Sequence, residues 1–310
     1  MNVVKFYNPM NIILCGSSAF AVPIFEALAT DERFTVTSVI TMPDAPKGRK
    51  NIVTSTPVGY WAASNEISTH KPEKISDPEF LKNITQEKPV VMVIAAYGKI
   101  IPENLLTLPT HRTINIHPSL LPLHRGPSPV QFTILNGDEI TGVSHMVIDS
   151  EVDHGPLIGQ YVHDLEGIET TQELLGTLSQ LSSKHIGDDI ENYINGELSP
   201  VPQEHEKATI TTFITKEDGM LDTAQTTISL ERRMRAMNGN VSTYFMYQGK
   251  KIIVEEAAVA EKNGETGTLF ADDELVGLNV ADGSLLFERL KIEGKDFVGA
   301  RDFMNGFHIE

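Results

Sequence analysis

Two polar side chains stand at the end of a short apolar run in the middle of the chain. Asn115 and His117 are separated by one residue, and Pro118 follows directly. Side chains two positions apart on a strand share a face, and proline ends a strand because it has no N–H for the ladder. The pattern predicts a carboxamide and an imidazole side by side at a strand end, where they could stabilise an oxyanion and handle a proton. A histidine that merely caps the strand is the alternative.

An acidic segment at residues 149–156 is the second polar cluster of the sequence. It reads Asp-Ser-Glu-Val-Asp-His-Gly-Pro and contains the carboxylates of Asp149, Glu151 and Asp153. A carboxylate can orient and charge a nearby imidazole, as an acidic group does in many histidine-based sites. The residues alone leave a second reading open, in which the segment is a plain acidic turn between two strands.

Alternating strands and helices would position these groups. Apolar runs predict strands near residues 11–16, 35–41, 89–96, 113–117, 143–149 and 157–162. Helical periodicity covers residues 20–30 and continues in one later stripe through Leu174, Leu178, Leu181, Ile186, Ile190 and Ile194. This alternation predicts an α/β fold with a doubly wound, mostly parallel sheet, in which ligands bind at the carboxyl ends of strands. Asn115 and His117 lie at one such end.

The composition and the hydrophobic pattern of the sequence change after residue 195. Residues 195–212 contain an Asn-Gly pair, two prolines and a polar run of Gln, Glu and His, and they resemble a linker. A short helix at 226–238 and several short β-rich segments with turn signals follow, a pattern that predicts a small barrel. We therefore expect a catalytic domain at residues 10–205 and a smaller β-barrel domain at 206–310.

Composition limits the classes of function. The chain has 310 residues and a net charge of −17, which disfavours a broad nucleic-acid-binding surface. Its single cysteine, Cys15, permits no internal disulfide and suits a reducing, cytoplasmic compartment. No apolar run reaches the ~18–20 residues of a membrane span, and residues 1–9 look like a short extension rather than a signal peptide.

Several common catalytic motifs are absent from the sequence. It has neither the G-x-G-x-x-G pattern of a dinucleotide site nor the G-x-x-x-x-G-K-[ST] pattern of a P-loop. It also lacks H-E-x-x-H, the cysteines of a zinc cluster and the G-x-S-x-G of a serine hydrolase. We therefore expect chemistry that uses no metal.

Residues 115–122 and 124–129, which read Asn-Ile-His-Pro-Ser-Leu-Leu-Pro and His-Arg-Gly-Pro-Ser-Pro, carry a resemblance. They resemble the core motif of the 10-formyltetrahydrofolate-dependent formyltransferases. Flanking segments resemble the branch of that superfamily that formylates methionyl-tRNA. These segments are residues 20–23, 43–44, 48–50, 96–102, 141–143, 149–155, 216–219, 293–295 and 302–303.

The resemblance implies roles for particular residues. Asn115, His117 and Asp153 match the catalytic set, whereas Asp149 and Glu151 become loop residues. A further set would form part of the folate pocket: Ser119, Leu120, Leu121 and Pro122. The implied acceptor is the initiator methionyl-tRNA of translation, and the implied second domain is an oligonucleotide-binding-like barrel. A monomer without membrane attachment is expected. The chain departs from the family pattern at Glu151, where glycine is usual, and at His154, where threonine or alanine is usual.

Two basic clusters are candidates for contacts with tRNA phosphates. Lys47, Arg49 and Lys50 lie in a Pro/Gly-rich loop, where they could bind a phosphate or simply face water. Arg232, Arg233 and Arg235 lie on the predicted helix at 226–238, and most charges of this kind simply face water.

Other functions of the same fold remain open. A sugar-nucleotide amine or glycinamide ribonucleotide would be the alternative acceptor, although the glycinamide enzyme lacks a second domain. A folate- or RNA-binding module without activity is a reading from another class, and the intact Asn115, His117 and Asp153 set disfavours it.

Overall fold

The structure is a computed structural model that describes residues 9–47, 51–261 and 264–307. Two compact units share these residues. The first comprises Met1–Gly126, Ile140–Asp164 and Leu175–Ile210, and the second comprises Pro127–Glu139, Leu165–Leu174 and Thr211–Glu310, within the described ranges. The predicted domain boundaries, 10–205 and 206–310, refer to parts of the chain that fold independently. They therefore stay a prediction.

The first unit is built on a mixed seven-stranded sheet. In chain order its strands and one separate hairpin are β1 (Met10–Gly16), β2 (Phe34–Ile40), β3 (Ala45–Lys47), β4 (Ile52–Thr54), β5 (Thr69–His70), β6 (Val91–Ala95), β7 (Thr113–His117), β8 (Ile140–Val147) and β9 (Leu157–Asp164). The sheet has the order β5-β2-β1-β6-β7-β8-β9, and β3 pairs with β4 apart from it. Neighbours from β5 to β7 are parallel, whereas β8 is antiparallel to both β7 and β9. The predicted α/β class with a mostly parallel sheet is confirmed.

Helices lie between these strands and after β9. They are α1 (Ala21–Thr30), α2 (Pro57–Ser64), α3 (Pro78–Gln86), α4 (Glu103–Leu106), α5 (Pro129–Asn136), α6 (Thr171–Ser183) and α7 (Ile186–Ile194). Two of them begin with a side-chain cap followed by proline: Thr56 accepts from the N–H of Gly59, and Asp77 accepts from the N–H of Phe80. Among the described residues, no helix combines the length and the apolar composition that a bilayer crossing requires.

The prediction of one helix through residues 174–194 is wrong, because two helices, α6 and α7, occupy this stretch. The break falls after two serines whose hydroxyls bond elsewhere. Ser182 contacts His145 at 2.8 Å, and Ser183 donates to the carbonyl of Gln180 at 2.9 Å. Such side-chain hydrogen bonds compete with helix formation, and the five-residue step in the apolar stripe from Leu181 to Ile186 does not fit one helical face.

The centre of the sheet is apolar on both faces. All five residues of β6 are buried, as expected for a parallel strand covered on both sides. One core cluster joins Ile13 and Cys15 of β1 to Met92 of β6, with Ile84 of α3 and Leu105 of α4 packed in the same cluster. Burial raises the pKa of the Cys15 thiol well above its ordinary value, so the sulfur stays protonated and is no nucleophile.

The second unit is rich in antiparallel strands. Its later elements are α8 (Thr227–Met237), β10 (Thr243–Tyr247), β11 (Lys250–Val254), β12 (Ala258–Ala260), β13 (Leu269–Asp272), β14 (Leu275–Asn279), β15 (Ser284–Phe287), β16 (Arg289–Ile292), β17 (Val298–Gly299) and α9 (Ala300–Phe307). The strands form two sheets, β10-β11-β16-β17 and β12-β15-β14-β13. One core that includes Leu230, Phe245 and Phe287 serves both sheets. The predicted β-rich second domain and its preceding helix are confirmed.

Candidate active site

The carboxyl end of β7 brings Asn115 and His117 to one place. β7 is parallel to β6 and antiparallel to β8, so it lies inside the sheet. The His117 side chain is 6% exposed, and Asn115 is partly buried. Both side chains approach Asp153, so they lie on one side of the strand.

The contacts of the His117 ring define its tautomer. Nε2 lies 2.9 Å from the backbone carbonyl oxygen of His124. A carbonyl oxygen can only accept, so Nε2 carries a proton. Nδ1 lies 3.6 Å from Oδ2 of Asp153, which is an ion-pair distance but longer than a hydrogen bond. This arrangement leaves Nδ1 as the ring atom that can take up or give a proton beside a carboxylate.

Asp153 is held by backbone and amide groups. The N–H of Gly126 donates to Oδ2 at 2.8 Å, and Nδ2 of Asn115 donates to Oδ1 at 3.4 Å. Asp153 itself has a φ of 50°, a left-handed conformation that costs a non-glycine residue on the order of 1–3 kcal/mol. Such a conformation persists where the surroundings fix it, so the loop that carries Asp153 needs support.

Two glycines allow the loops to meet around Asp153. Gly126 has a φ of 106°, which side-chain-bearing residues rarely adopt. At Gly155, a Cβ atom would lie 1.8 Å from the backbone carbonyl oxygen of Val147. A side chain at Gly155 would push the loops apart, and one at Gly126 would strain the backbone.

The arrangement can stabilise negative charge on an oxygen atom. The amide nitrogen of Asn115 carries two N–H groups, and among the described residues Asp153 accepts one of them. The second N–H can donate to a ligand. A protonated Nδ1 of His117 would provide another donor, stabilised by the nearby carboxylate of Asp153. Two donors of this kind suit an acyl carbon at which an oxyanion develops.

Comparisons with known proteins agree with this chemistry. Residues 10–186 match the family described as formyl transferase, and residues 213–308 match the formyl transferase C-terminal domain. The methionyl-tRNA formyltransferase of Myxococcus xanthus is 38% identical over 300 residues, which cover 96% of this chain and 95% of that protein. The enzyme of the same name from Roseiflexus castenholzii is 35% identical over 303 residues, covering 97% of each chain. The chain belongs to the methionyl-tRNA formyltransferase family.

Solved structures share the fold of this family member. HypX from Aquifex aeolicus in complex with tetrahydrofolic acid has a TM-score of 0.64 at 16% identity, covering 96% of this chain and 47% of HypX. This chain therefore spans about half the length of HypX. An N-formyltransferase from Helicobacter canadensis, in complex with folinic acid and dTDP-3-aminofucose, has a TM-score of 0.65 at 16% identity and covers 90% and 98% of the two chains.

The four residues that the family resemblance assigns to folate form a fixed loop after β7. The hydroxyl of Ser119 donates to the carbonyl of Leu123 at 2.7 Å, and the N–H of Leu121 donates to Ser144 at 3.1 Å. Ser119 and Leu121 are buried, whereas Leu120 and Pro122 keep part of their surface exposed. Leu120 and Pro122 are thus the members of this set that can contact a ligand with their side chains. Their role in folate binding stays a prediction.

The acidic loop separates its carboxylates. Oδ2 of Asp149 lies 2.6 Å from Nδ1 of His154, and Glu151 is exposed. The imidazole of His154 stacks on that of His205, with centroids 3.9 Å apart and an interplanar angle of 3°. Asp153 is therefore the carboxylate beside His117, and the assignment of Asp149 and Glu151 as loop residues stays a prediction. Of the two departures from the pattern, Glu151 is exposed and His154 is partly buried against His205.

Sequence reasoning missed Gln203, which is buried next to the site. Its side chain bonds to the backbone of Asp153 and Gly155 and to the side chain of Arg125. Gln203 lies in the segment that the composition marked as a linker, 50 residues after Asp153. No periodicity or local motif distinguishes a glutamine there, because its partners are distant in sequence.

The two basic clusters that are candidates for tRNA contacts differ in their surroundings. Lys47 is exposed on β3, and Arg49 and Lys50 lie outside the described residues. The arginines of α8 make contacts within their own unit. Arg233 donates to the carbonyl of Asp218 at 2.8 Å, and Arg235 pairs with Glu231 at 2.5 Å. These two arginines are partly buried in internal hydrogen bonds, so they depart from the general expectation that such charges face water.

A second histidine has the partners of a serine-hydrolase triad but no access to substrate. Nδ1 of His145 lies 2.6 Å from Oδ2 of Asp189, and Nε2 lies 2.8 Å from the hydroxyl of Ser182. His145 and Ser182 are both 0% exposed. Tyr161 also donates to Asp189, at 2.8 Å. This set is a buried structural network rather than a second active site.

Burial gives the His145 network a predictable dependence on pH. Burial lowers the pKa of His145, although the hydrogen bond that its ring donates to Asp189 opposes this shift. As the pH falls, the unfolded chain therefore takes up a proton on His145 before the folded chain does. The contribution of His145 to stability is lost as the pH falls below ~6.5, the ordinary pKa of histidine. We expect the free energy of unfolding to fall by up to about 1.4 kcal/mol per pH unit from this residue.

Urea unfolding between about pH 7.5 and pH 5.5 measures this effect. His145→Asn should flatten the pH dependence while lowering stability at neutral pH. His163→Asn is the control, since His163 is only partly buried on β9. Equal slopes in the wild type and His145→Asn would contradict the assignment.

Proposed function

We propose that this protein transfers the formyl group of 10-formyltetrahydrofolate to the amino group of initiator methionyl-tRNA. The convergence of Asn115, His117 and Asp153 at the end of β7 is the observation that carries this proposal. Relatives named methionyl-tRNA formyltransferase, aligned over almost the whole chain, support the acceptor. A cytoplasmic, monomeric enzyme of translation initiation belongs to the same proposal.

The folate co-substrate supplies an activated formyl group. The amine nitrogen bonds to the formyl carbon, the bond between that carbon and N10 breaks, and the proton lost by the amine balances the proton gained by N10. As negative charge develops on the formyl oxygen, Asn115 and the protonated Nδ1 of His117 donate to it. One preorganised donor of this kind contributes about 3–4 kcal/mol. Asp153 stabilises the positive charge of the imidazole.

The residues around β7 fit such a co-substrate. Asn115 keeps a free N–H among the described residues, and Leu120 and Pro122 present apolar surface beside it in the chain. Ser119 and Leu121 would hold that loop in shape through their internal hydrogen bonds. No metal is part of the proposal, since the Asn115 amide and the His117 imidazole themselves provide the stabilising donors.

A comparison of acceptors tests the function. The protein is incubated with 10-formyltetrahydrofolate and, in separate reactions, methionyl-tRNA, a sugar nucleotide with a free amine, or glycinamide ribonucleotide. We expect tetrahydrofolate to appear with methionyl-tRNA. Turnover with another acceptor alone would reassign the substrate, and binding of folate without turnover on any amine would indicate a non-catalytic module.

The acidic charge of the chain constrains how it binds tRNA. Residues 206–310 carry 12 Lys and Arg against 18 Asp and Glu, a net of 12 − 18 = −6. Broad attraction from this part of the chain is therefore weak, and we propose that the loop with Lys47, Arg49 and Lys50 makes the phosphate contacts. Lys47 is exposed, which is compatible with this role.

A shallow salt dependence should follow from so few phosphate contacts. Each phosphate neutralised adds just under one unit to the slope of log affinity against log salt for duplex nucleic acid, so we expect a slope of about two to three. Arg49→Ala should raise KM for methionyl-tRNA and leave KM for folate unchanged. Lys82→Ala, on the exposed side of α3, is the matched control. An unchanged KM for tRNA in Arg49→Ala would refute the role of the loop.

A further inference from the structure

We infer that Gln203 is a positioning residue that couples the loop after β7 to the loop that carries Asp153. The inference rests on the proposed formyl transfer, in which both loops form the site. Gln203 touches neither His117 nor Asn115, and it acts through the backbone on which their partners are mounted.

The carboxamide of Gln203 is fully used between the two loops. Its Nε2 donates to the backbone carbonyls of Asp153 at 3.0 Å and Gly155 at 2.7 Å. Its Oε1 accepts from Nε of Arg125 at 3.1 Å and from Nη2 at 2.7 Å. Both N–H groups and both lone pairs therefore have partners, and the residue is 6% exposed. A buried amide bonded in this way has one orientation, so it fixes the distance between the groups it joins.

The Arg125 end of this bridge lies between two groups that hold the catalytic set. The preceding residue, His124, accepts from Nε2 of His117 through its carbonyl, and the following residue, Gly126, donates its N–H to the Asp153 carboxylate. A shift of Arg125 would therefore move both contacts together. Gln203 anchors the side chain of Arg125 and so limits this shift.

The other end of the bridge holds a conformation that needs support. Asp153 has the left-handed φ of 50° described above, and Gln203 binds its carbonyl and that of Gly155, two residues on. His205, two residues after Gln203, adds a second contact, because its Nδ1 accepts from Nη2 of Arg125 at 2.9 Å. The segment around residues 203–205 thus connects both catalytic loops.

Two substitutions separate the donor and acceptor halves of the amide. Gln203→Leu removes all four hydrogen bonds. Gln203→Glu keeps an acceptor for Arg125 but places an oxygen against the carbonyls of Asp153 and Gly155. We expect each variant to lower kcat by about 10- to 100-fold, because misplacement of catalytic groups by about 1 Å has effects of this size. KM for both substrates should change little, since the buried side chain offers almost no surface to a ligand.

A matched control distinguishes positioning from general loss of stability. Asn279 is a buried amide of the second unit that donates to Thr268 and accepts from Ser284. Asn279→Leu should lower the thermal midpoint as Gln203→Leu does, yet leave kcat unchanged. An equal fall in kcat for both variants would overturn the inference.

A double-mutant cycle tests whether Gln203 acts through Asp153. In the Asp153→Asn background, Gln203→Glu should lower kcat by less than threefold, because the carboxylate it positions is already absent. Additive losses would overturn the inference, since they would mean that Gln203 acts elsewhere.

An NMR measurement keeps the test independent of turnover. The imidazole resonances of His117, assigned with His117→Gln, should shift in Gln203→Glu and stay in place in Asn279→Leu. Unmoved His117 resonances would overturn the coupling. A wild-type protein without formyl transfer would contradict the proposed function, and the NMR result would still decide whether Gln203 links the loops.

Discussion

Replacing Asn115 or His117 with alanine should lower the rate of formyl transfer at saturating substrates by at least about 100-fold. Each substitution removes a donor to the developing oxyanion, which acts in the transition state more than in the bound substrate. The loss should therefore fall on kcat rather than on KM. Single-turnover kinetics with 10-formyltetrahydrofolate and methionyl-tRNA measures it.

Folding controls accompany this pair of variants. His117 is buried and bonds to the carbonyl of His124, so His117→Ala also leaves a small cavity. His117→Gln fills more of that space and should be equally slow, which separates chemistry from packing. Near-wild-type turnover in either alanine variant, with the fold intact by circular dichroism, would remove that residue from the catalytic set.

Asp153→Asn should reduce the rate by roughly 10²- to 10⁴-fold, the range typical of groups that support proton transfer. An amide oxygen can still accept from the N–H of Gly126, so the loop keeps this contact. What disappears is the negative charge 3.6 Å from Nδ1 of His117. The protonated imidazole then loses its stabilising partner, and the formyl oxygen loses a donor.

Asp149→Asn is the matched control for this substitution. It changes the same type of residue in the same loop, but Asp149 pairs with His154 rather than with His117. We expect a much smaller effect on kcat. Equal losses of kcat in the two variants would show that the total charge of the loop determines the rate. Asp153 would then have no specific role beside His117.

The parts of the structure that local sequence determines were predictable. β6 and β7 follow from continuous apolar runs, and Pro118 marks the end of β7, so the site of Asn115 and His117 could be located. The position of Asp153 beside them came from the family resemblance. Its left-handed backbone and its contact with Gly126 depend on a second loop that the sequence pattern does not describe.

The features that could not be predicted from the sequence involve hydrogen bonds between residues far apart in the chain. The break between α6 and α7 lies next to the contact of Ser182 with His145, 37 residues earlier. Gln203 meets Arg125 across 78 residues. Neither contact leaves a periodic signal, because a hydrogen bond between distant loops constrains two single positions and not a repeating pattern.

The position of Cys15 has a practical consequence. It is the chain's single cysteine, and it lies fully buried on β1 beside the central strand β6. A thiol-reactive dye can reach this sulfur after the strands around it separate, so the native enzyme carries an intrinsic reporter of that opening event. Pulse labelling of Cys15 followed by mass spectrometry would count the opened molecules directly. The measurement needs no engineered cysteine, so the loops of the site stay unchanged.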